Sequence, residues 1–411
     1  MKNINSNKKF DFLVKRYGNN HKISYYDFYE KSLNNYHVTR VTLFFAVKNL
    51  FLIILSLYSI LKFFLFKNKL EANYFIIRKN KDSFVDPRSK LYIKISNLKL
   101  RLNFVRSENF FESLKVFFLY PNIVYINSFK YFFNFFVKLK SNNNFYEKIN
   151  KQNYIHYFIL KKIFLILKIN KIYLIDDYRI MPLIITICEE LGIVSVGYMH
   201  GRISSHNMIH KHFSFSKFYL WSSYYKNKLE NLNINYKHHK KILINKFIKF
   251  PPGLLNNFKI KSSYSRINLL YVIDDVVNDN LLIKNFKKIH KFKHINLFIK
   301  FRPNNEPSKI LLSFCQKNHL KFYYKENVYK IFLENNINFL ISSYSTLLIE
   351  ASLLSIYPLM FVINKKDPLI RELILDKAVV PIYSFNNFYR KILLLKENKR
   401  ILKQIKKKIW H

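Results

Sequence analysis

Glycine is the residue that this sequence most conspicuously lacks. The chain has 5 glycines in 411 residues, although average usage of about 7% would give about 29. Three of the five, Gly192, Gly197 and Gly201, lie in one short stretch. A chain with so little glycine is expected to keep it where the backbone requires it. The segment that contains these three residues is therefore the first candidate for a functional turn.

Cysteine is almost absent as well. Cys188 and Cys315 are the only two, which are too few for a disulfide framework. Both lie in apolar helical segments, where buried free thiols are expected. No Cys/His spacing is typical of a zinc site, and no Asp-x-Asp motif lies in a suitable loop. We therefore expect no metal and no resident cofactor.

Acidic residues are few, since 25 of them stand against 70 basic ones and give a formal net charge of +45. The resulting field attracts phosphates and anionic lipid headgroups. Lysine rises together with Phe, Tyr, Asn and Ile, which indicates a codon bias toward A and T. The lysines are spread along the whole chain and no nucleic-acid motif is present. We expect an anionic membrane surface, and no specific nucleic acid, among the partners.

The most apolar stretch runs from Val41 to Phe66, and the residues before it lack the apolar region of a signal peptide. Lys48 and Lys62 interrupt it and leave only Asn49–Leu61 uncharged. So short a run favours an interfacial or buried helix. A membrane span with snorkelling lysines is the alternative. We expect a peripheral or monotopic protein at the cytoplasmic face of the inner membrane.

Short apolar strands alternate with helices from about residue 70 onward, which predicts parallel sheets and the α/β class. The pattern occurs twice, on either side of a polar linker at Asn256–Arg266. The predicted strands are Asn73–Arg78, Asn122–Asn127, Lys171–Asp176, Ile193–Met199 and Lys217–Trp221, then Asn268–Ile273, His294–Phe301, Lys321–Tyr324, Asn338–Ser342, Tyr357–Val362 and Val379–Ile382.

This pattern predicts two Rossmann-like parallel-sheet domains that face a central cleft, with an apolar helix in front of them. The predicted divisions are an N-terminal region (1–69), a Rossmann-like acceptor domain (70–255), a Rossmann-like nucleotide-donor domain (266–385) and a basic C-terminal helix (386–411).

The first motif is a β-α-β unit between residues 172 and 202. In open α/β sheets, ligands bind outside the carboxyl ends of the strands. The polar residues and the glycine that follow the two strands of this unit are Asp176, Asp177, His200, Gly201 and Arg202.

A neutral imidazole at His200 can accept a proton from a hydroxyl near neutral pH, and Gly201 leaves room for a ligand. The alternative is that Asp176 and Asp177 cap the following helix and that His200 satisfies a loop.

The second motif is a hydroxyl-rich turn that follows a strand and opens a helix. Ser343, Ser345 and Thr346 are candidate phosphate donors, because hydroxyls and free N–H groups at a helix start bind phosphate. Glu350 lies four residues after Thr346 on the same helix face and is a candidate for a ribose or sugar hydroxyl. The alternative makes Ser345 and Thr346 ordinary N-caps and Glu350 their capping partner.

The third motif lies at the end of the strand that carries Lys300 and Arg302. A guanidinium at a strand end can form a bidentate contact with a phosphate. The alternative is a surface arginine in a turn. All three motifs fall at carboxyl ends of predicted strands, which favours a shared ligand.

These motifs resemble the GT-B-fold transferases of surface polysaccharide synthesis, which include capsule Kdo transferases, polysialyltransferases and CDP-glycerol glycerophosphotransferases. The similarity spans about Lys171–Trp221 and Asn268–Pro358. It depends on the His-Gly turn at Met199–Gly201, the hydroxyl-rich turn and helix at Ser343–Ala351, and the strand end at Lys300–Pro303.

The resemblance implies that His200 is a general base, that Ser345 and Thr346 hold donor phosphates, and that Glu350 binds a donor hydroxyl. Related families often carry His-Pro where this chain has Arg302-Pro303. Arginine neutralises phosphate but does not donate a proton to a leaving group. The Asp-Asp-Gly element of some bacterial sialyltransferases is also incomplete, because Tyr178 follows the two aspartates.

The expected function is a metal-independent glycosyltransferase that moves a sugar from a nucleotide-activated donor to a glycan or lipid-linked acceptor. A CMP-linked donor is the first candidate. The alternatives are a CDP-polyol phosphotransferase of the same fold, and a non-enzymatic basic protein that binds nucleic acid or a membrane surface. Nothing in the sequence separates the two transferases.

Overall fold

The computed structural model describes most of the chain. The described residues are 8–9, 11–18, 22–24, 42–65, 70–77, 101–107, 109–136, 145–175, 179–199, 201, 203, 213, 215–232, 242–244, 266–274, 277–302, 307–386 and 388–410. Contacts divide the chain into two compact units, Met1–Trp221 with Lys226–Lys249, and Ser222–Tyr225 with Phe250–His411. Each unit is built on one parallel sheet.

The first sheet has seven strands, which run in the order β3-β2-β1-β4-β5-β6-β7. All neighbouring strands are parallel. The order reverses between β1 and β4, which makes a topological switch point. The strands are β1 Leu70–Ile77, β2 Leu102–Ser107, β3 Ile123–Tyr125, β4 Ile169–Ile175, β5 Val194–Tyr198, β6 Lys217–Leu220 and β7 Ile242–Ile244.

Helices connect these strands and precede them. The first and longest apolar helix, α1, begins after Thr42, whose side chain accepts from the Phe45 N–H. The helices are α1 Leu43–Phe64, α2 Phe110–Leu119, α3 Ile126–Phe136, α4 Phe145–Ile166, α5 Met181–Leu191 and α6 Ser223–Leu232, with a π-helical turn at Val14–Gly18 and a 3-10 turn at Lys22–Ser24.

The second sheet has six parallel strands in the order β10-β9-β8-β11-β12-β13, with its switch point between β8 and β11. Its strands are β8 Ile267–Val272, β9 Ile295–Lys300, β10 Lys321–Tyr323, β11 Phe339–Ser342, β12 Tyr357–Phe361 and β13 Val380–Ile382. The helices are α7 Asp279–His290, α8 Lys309–Lys317, α9 Val328–Glu334, α10 Leu347–Leu353, α11 Pro368–Leu375, α12 Phe388–Glu397 and α13 Lys399–Trp410.

The predicted α/β class with two Rossmann-like parallel-sheet units is confirmed. Every predicted strand has a counterpart in the two sheets, and most of the ends agree within two residues. Two further strands, β2 and β7, were not predicted. The predicted linker at Asn256–Arg266 lies outside the described residues except for Arg266.

Two of the clustered glycines have clear structural reasons. Gly192 ends α5 with a φ of +65°, in the left-handed region that favours glycine. A Cβ added to Gly197 in β5 would lie 2.5 Å from the ring of Phe215, which is itself buried. A Cβ at Gly201 would meet no atom within 4 Å, so sterics among neighbouring residues do not explain this third glycine.

The prediction of a single basic helix at the C-terminus is wrong in one respect. Two helices, α12 and α13, take its place, and Asn398 separates them. The side-chain oxygen of Asn398 accepts from the Arg400 N–H at 3.2 Å, so this residue starts a new helix. The apolar face of α13 is buried, and the Trp410 indole donates to the Ser352 hydroxyl at 2.9 Å.

His156 on α4 gives the first unit a pH-dependent stability. Burial and the nearby Lys130 charge lower the pKa of His156 to about 3, against an opposing backbone hydrogen bond at Ile126. The imidazole is therefore neutral in the folded protein, whereas in the unfolded chain it binds a proton below about pH 6.5. Stability from this residue is complete above the unfolded pKa and is lost as the pH falls toward the folded one.

We expect the free energy of unfolding to fall by about 2 kcal/mol between about pH 7 and about pH 5 through this group alone. Denaturant unfolding at the two pH values measures it, with His156→Gln expected to remove that part of the pH dependence. His290→Gln is the matched control, because His290 is exposed at the end of α7. If the free energy of unfolding of His156→Gln depended on pH as strongly as that of the unaltered protein, His156 would not be the source of this pH dependence.

Candidate functional site

A buried carboxylate organises the carboxyl edge of the second sheet. Asp274 follows β8 and is 2% exposed. Its Oδ2 accepts from the Ser342 hydroxyl at 2.6 Å, from the Ser343 N–H at 2.6 Å and from the Tyr344 N–H at 2.9 Å. Because β8 and β11 flank the switch point, this carboxylate fixes the turn at the position where ligands bind in such sheets.

The other oxygen of Asp274 holds the arginine predicted from the third motif. The guanidinium of Arg302 lies 3.1 Å from Asp274 Oδ1, in an ion pair whose side chains are 41% and 1% exposed respectively. Asp274 thus connects the ends of β8, β9 and β11, and it brings Arg302 and the turn that begins at Ser342 together. The exposed part of the guanidinium carries positive charge at this edge.

The hydroxyls of the turn have different surroundings. Ser345 Oγ accepts from the Leu347 N–H at 3.3 Å, which agrees with the alternative of a local cap. Thr346 is the N-cap of α10, but its side chain makes no capping bond. The hydroxyl of Ser343 is buried without a hydrogen-bond partner among the described residues. Ser343 and Thr346 therefore fit a ligand role better than Ser345 does.

Glu350 on α10 is completely buried. The Tyr329 hydroxyl of α9 donates to Glu350 Oε2 at 2.6 Å. Burial raises the pKa of Tyr329 well above its usual range, and the Glu350 charge raises it further. The phenol therefore stays protonated and orients the carboxylate. Sequence analysis missed Tyr329, because a tyrosine in an apolar helix carries no distinguishing signal.

Lys300 at the end of β9 is buried as well, and burial lowers its pKa to about 8. Its ammonium donates to the carbonyls of Phe301 and Tyr324, each at 2.6 Å. Two of its three N–H groups thus hold the ends of β9 and β10 together, which leaves one for any phosphate. The predicted role of Lys300 in phosphate binding stays a prediction.

In the first unit, the backbone before the His-Gly turn is held on both sides. The Met199 N–H donates to the Tyr219 carbonyl at 3.0 Å, and the Trp221 indole donates to the Met199 carbonyl at 3.1 Å. A Cβ added to Gly201 would meet none of the described residues within 4 Å. Four predicted residues lie outside the described ones: Asp176, Asp177, His200 and Arg202.

The described site is suited to a phosphorylated ligand. Within the residues described in both units, no group of three or more His, Cys, Asp or Glu side chains is placed to hold a metal ion. Arg302 supplies a cation, and Ser343 and Thr346 supply hydroxyls that make no local bond. Cations and hydroxyl donors at strand ends are the groups that bind phosphate oxygens.

Two parallel sheets with this strand order, one in each unit, define the GT-B fold, and this chain has that fold. UDP-N-acetylglucosamine 2-epimerase from Rickettsia bellii is similar, with a TM-score of 0.51, 11% identity and coverage of 83% of this chain and 96% of that one. UDP-GlcNAc 2-epimerase from Neisseria meningitidis, bound to UDP-GlcNAc, is similar with a TM-score of 0.50 and 12% identity. The match covers 82% of this chain and 94% of that one.

The glycotransferase of kitacinnamycin is similar too, with a TM-score of 0.50, 7% identity and coverage of 84% of this chain and 95% of that one. At these identities the likeness shows the fold alone. No family model and no curated protein matches the sequence.

Proposed function

We propose that this protein is a glycosyltransferase that moves a sugar from a nucleotide-activated donor to a hydroxyl of a surface glycan or lipid-linked acceptor. The observation that carries the proposal is the Asp274-centred edge, which holds Arg302 and the hydroxyl-rich turn at the switch point of the second sheet. Structural neighbours include a glycotransferase and epimerases whose names specify UDP-GlcNAc, which supports a sugar-nucleotide ligand.

In the proposed mechanism, Arg302 and the hydroxyls of Ser343 and Thr346 bind the donor phosphates. They stabilise the charge that develops as the sugar-phosphate bond breaks, without a metal. His200 removes the proton from the acceptor hydroxyl. Binding of a donor hydroxyl by Glu350 also belongs to this proposal, although its carboxylate is completely buried and bonded to Tyr329. Ser345 and Lys300 support the same phosphates from the turn and from β9.

The capsule-type transferases that the motifs resemble favour a CMP- or CDP-linked donor. A CDP-polyol phosphotransferase would use the same site with a different leaving group. The proposed acceptor domain and the roles of Asp176, Asp177, Gly201 and Arg202 belong to this proposal.

A thermal-shift screen of the full chain against CMP-, CDP-, UDP- and GDP-linked sugars tests the donor site. A ligand at about 100 times its Kd adds about 2.7 kcal/mol to the folded state, which raises Tm by about 5 °C. We expect one nucleotide class to produce this shift and Arg302→Gln to remove it. Arg371→Gln is the matched control, because Arg371 is exposed on α11 of the same unit.

Product analysis then separates transfer from epimerisation. Transfer of the sugar requires an acceptor. An epimerase needs only the nucleotide-sugar, and it inverts the configuration at one carbon of the sugar. Proton NMR of the donor with the enzyme alone is expected to show no new sugar isomer. Appearance of an epimer under these conditions would contradict a transferase, and steep salt-dependent duplex binding without any nucleotide-sugar shift would favour the nucleic-acid alternative.

A further inference from the structure

Helix α1 closes the open edge of the first sheet. β3 is the terminal strand of that sheet. Ser56 Oγ accepts from the Tyr125 N–H at 2.9 Å, and Ser59 Oγ accepts from the Ile123 N–H at 3.1 Å. Both serines are completely buried. Two hydroxyls spaced three residues apart thus take the place of a further strand, and they satisfy N–H groups that an edge otherwise leaves unpaired.

The same hydroxyls also donate to backbone carbonyls of the first unit. Ser56 donates to the Leu52 carbonyl at 2.7 Å, and Ser59 donates to the Pro121 carbonyl at 2.9 Å. Removing α1 from the sheet would leave the Ile123 and Tyr125 N–H groups and the Pro121 carbonyl without these partners, which is unfavourable for buried polar groups. The inner side of α1 is therefore a fixed part of the first unit.

The opposite side of α1 is apolar, and none of the residues that the structure describes covers it. The outer apolar face, as we name it, consists of strongly exposed side chains on α1 and on the neighbouring α2. Aromatic pairs join the two helices. The ring centroids of Phe51 and Phe110 lie 6.3 Å apart, and those of Tyr58 and Phe117 lie 6.2 Å apart. Its principal members are Phe44 (69% exposed), Ile54 (53%), Leu61 (64%), Phe64 (57%), Phe111 (73%) and Phe118 (78%).

This face is large for a protein surface. A helix of 22 residues is about 33 Å long, and large apolar side chains are exposed from one end of α1 to the other. Soluble monomers rarely expose contiguous apolar patches of more than a few hundred Å². By length and composition α1 would also suffice to cross a membrane, but its inner side is bound to the sheet edge.

Among the described residues of α1 and α2, lysines outnumber acids beside the outer apolar face. Helix α1 contains no acidic residue and carries Lys48 and Lys62. The Lys48 ammonium lies 4.0 Å from the centroid of the Phe44 ring, and Lys115 is exposed on α2. Glu112, the one acid on α2, has an Oε2 atom that is buried. Lysines near an anionic bilayer are attracted to its surface.

We propose that the outer apolar face docks the protein on an anionic lipid bilayer, with α1 lying in the plane of the interface rather than across the membrane. Phenylalanine and leucine side chains would enter the acyl boundary to a depth of about 5–10 Å. Lys48 and Lys115 then reach the headgroups, as amphipathic side chains do at interfaces, whereas the Lys62 ammonium donates to Asn122 Oδ1 at 3.1 Å. A second copy is a poorer occupant, because it would bring two sets of these lysines together in a chain of net charge +45.

Sedimentation with vesicles tests this proposal independently of the transferase activity. The full chain is mixed with vesicles of phosphatidylcholine alone, or of two parts phosphatidylcholine to one part phosphatidylglycerol. We expect tighter binding to the anionic vesicles and partial release of the protein from them at high salt. In the double variant Phe111→Ser with Phe118→Ser, binding should fall at least tenfold. Both side chains are mostly exposed, so the variant is expected to fold.

The matched control changes exposed apolar side chains in the second unit, namely Ile310→Ser with Leu394→Ser, which are 62% and 58% exposed. This control should bind vesicles as the unaltered protein does, and unfolding curves should coincide. Equal binding by the Phe111/Phe118 variant would overturn the proposal. So would a vesicle-independent dimer that this variant abolishes, since a second copy would then be the occupant.

An alkaline carbonate wash of membranes from cells that express the full chain distinguishes docking from spanning. A protein held at the interface is released, whereas one with a transmembrane helix is retained. We expect release. Retention after the wash would overturn the in-plane orientation of α1.

Discussion

Replacing Asp274 by asparagine is expected to cost about 3 kcal/mol of unfolding free energy and to abolish nucleotide-sugar binding. The carboxylate accepts three hydrogen bonds on Oδ2 and an ion pair on Oδ1. An amide keeps one acceptor oxygen and turns N–H groups toward donors that it leaves buried and unpaired. The ion pair with Arg302 contributes only a small part of this free energy, because solvent screens a side chain that is 41% exposed.

The loss should appear as a decrease in Tm of about 5–10 °C, together with loss of the donor-induced thermal shift. Asp279→Asn is the control, because Asp279 lies in the first turn of α7 and its replacement costs about 0.3–1 kcal/mol through the helix dipole. Calorimetric titration with the donor measures the binding. A variant that is destabilised but binds normally would assign Asp274 to the fold alone.

Asp274 follows a sequence pattern that also occurs before the predicted site residues Asp176 and Asp177 in the first unit. The segment Tyr173–Asp177 reads Tyr-Leu-Ile-Asp-Asp, and the segment Tyr271–Asp275 reads Tyr-Val-Ile-Asp-Asp. Only the first segment lies in a glycine-rich β-α-β unit, and this pattern is what predicts a ligand site at Asp176 and Asp177. A systematic comparison of all strand ends would have placed Asp274 beside Arg302 and the turn at Ser342, since their strands are neighbours in the sheet.

The two strands that sequence analysis missed have different physical explanations. β2 reads Leu-Asn-Phe-Val-Arg-Ser, whose polar residues resemble a loop. Asn103 is nevertheless buried, because its amide pairs with that of Asn73 on β1 at 3.0 Å. Such a pair is invisible until both strands are aligned. β7 has only three residues, Ile242–Ile244, which is too short for a periodic pattern.

Helix α1 marks the limit of hydropathy as a predictor. Its composition favours an interfacial or buried helix and leaves a membrane span as the alternative. The difference lies in Ser56 and Ser59, which accept from β3. Serines within an apolar helix often bond to the preceding turn, so their sequence positions alone do not show that they bind a strand edge.

Replacing His200 by alanine is expected to lower kcat for transfer by about 10²–10⁴-fold, which is the usual contribution of a general base. The fold should be unaffected, because the preceding backbone is held by the Tyr219 carbonyl and the Trp221 indole at Met199. Donor binding should also persist, since the groups proposed for it lie on the second unit. His290→Ala, on the exposed end of α7, is the control.

The pH profile distinguishes a base from a structural histidine. Because a general base acts only in its unprotonated form, the rate of the unaltered enzyme should fall on the acid side of the profile, and His200→Ala should lose this limb while keeping a low residual rate. Steady-state transfer rates with the donor identified by thermal shift provide the measurement. Full activity in His200→Ala would remove the imidazole from the mechanism. The Asp274-centred edge would then still support a nucleotide-sugar site, since its contacts lie wholly within the second unit.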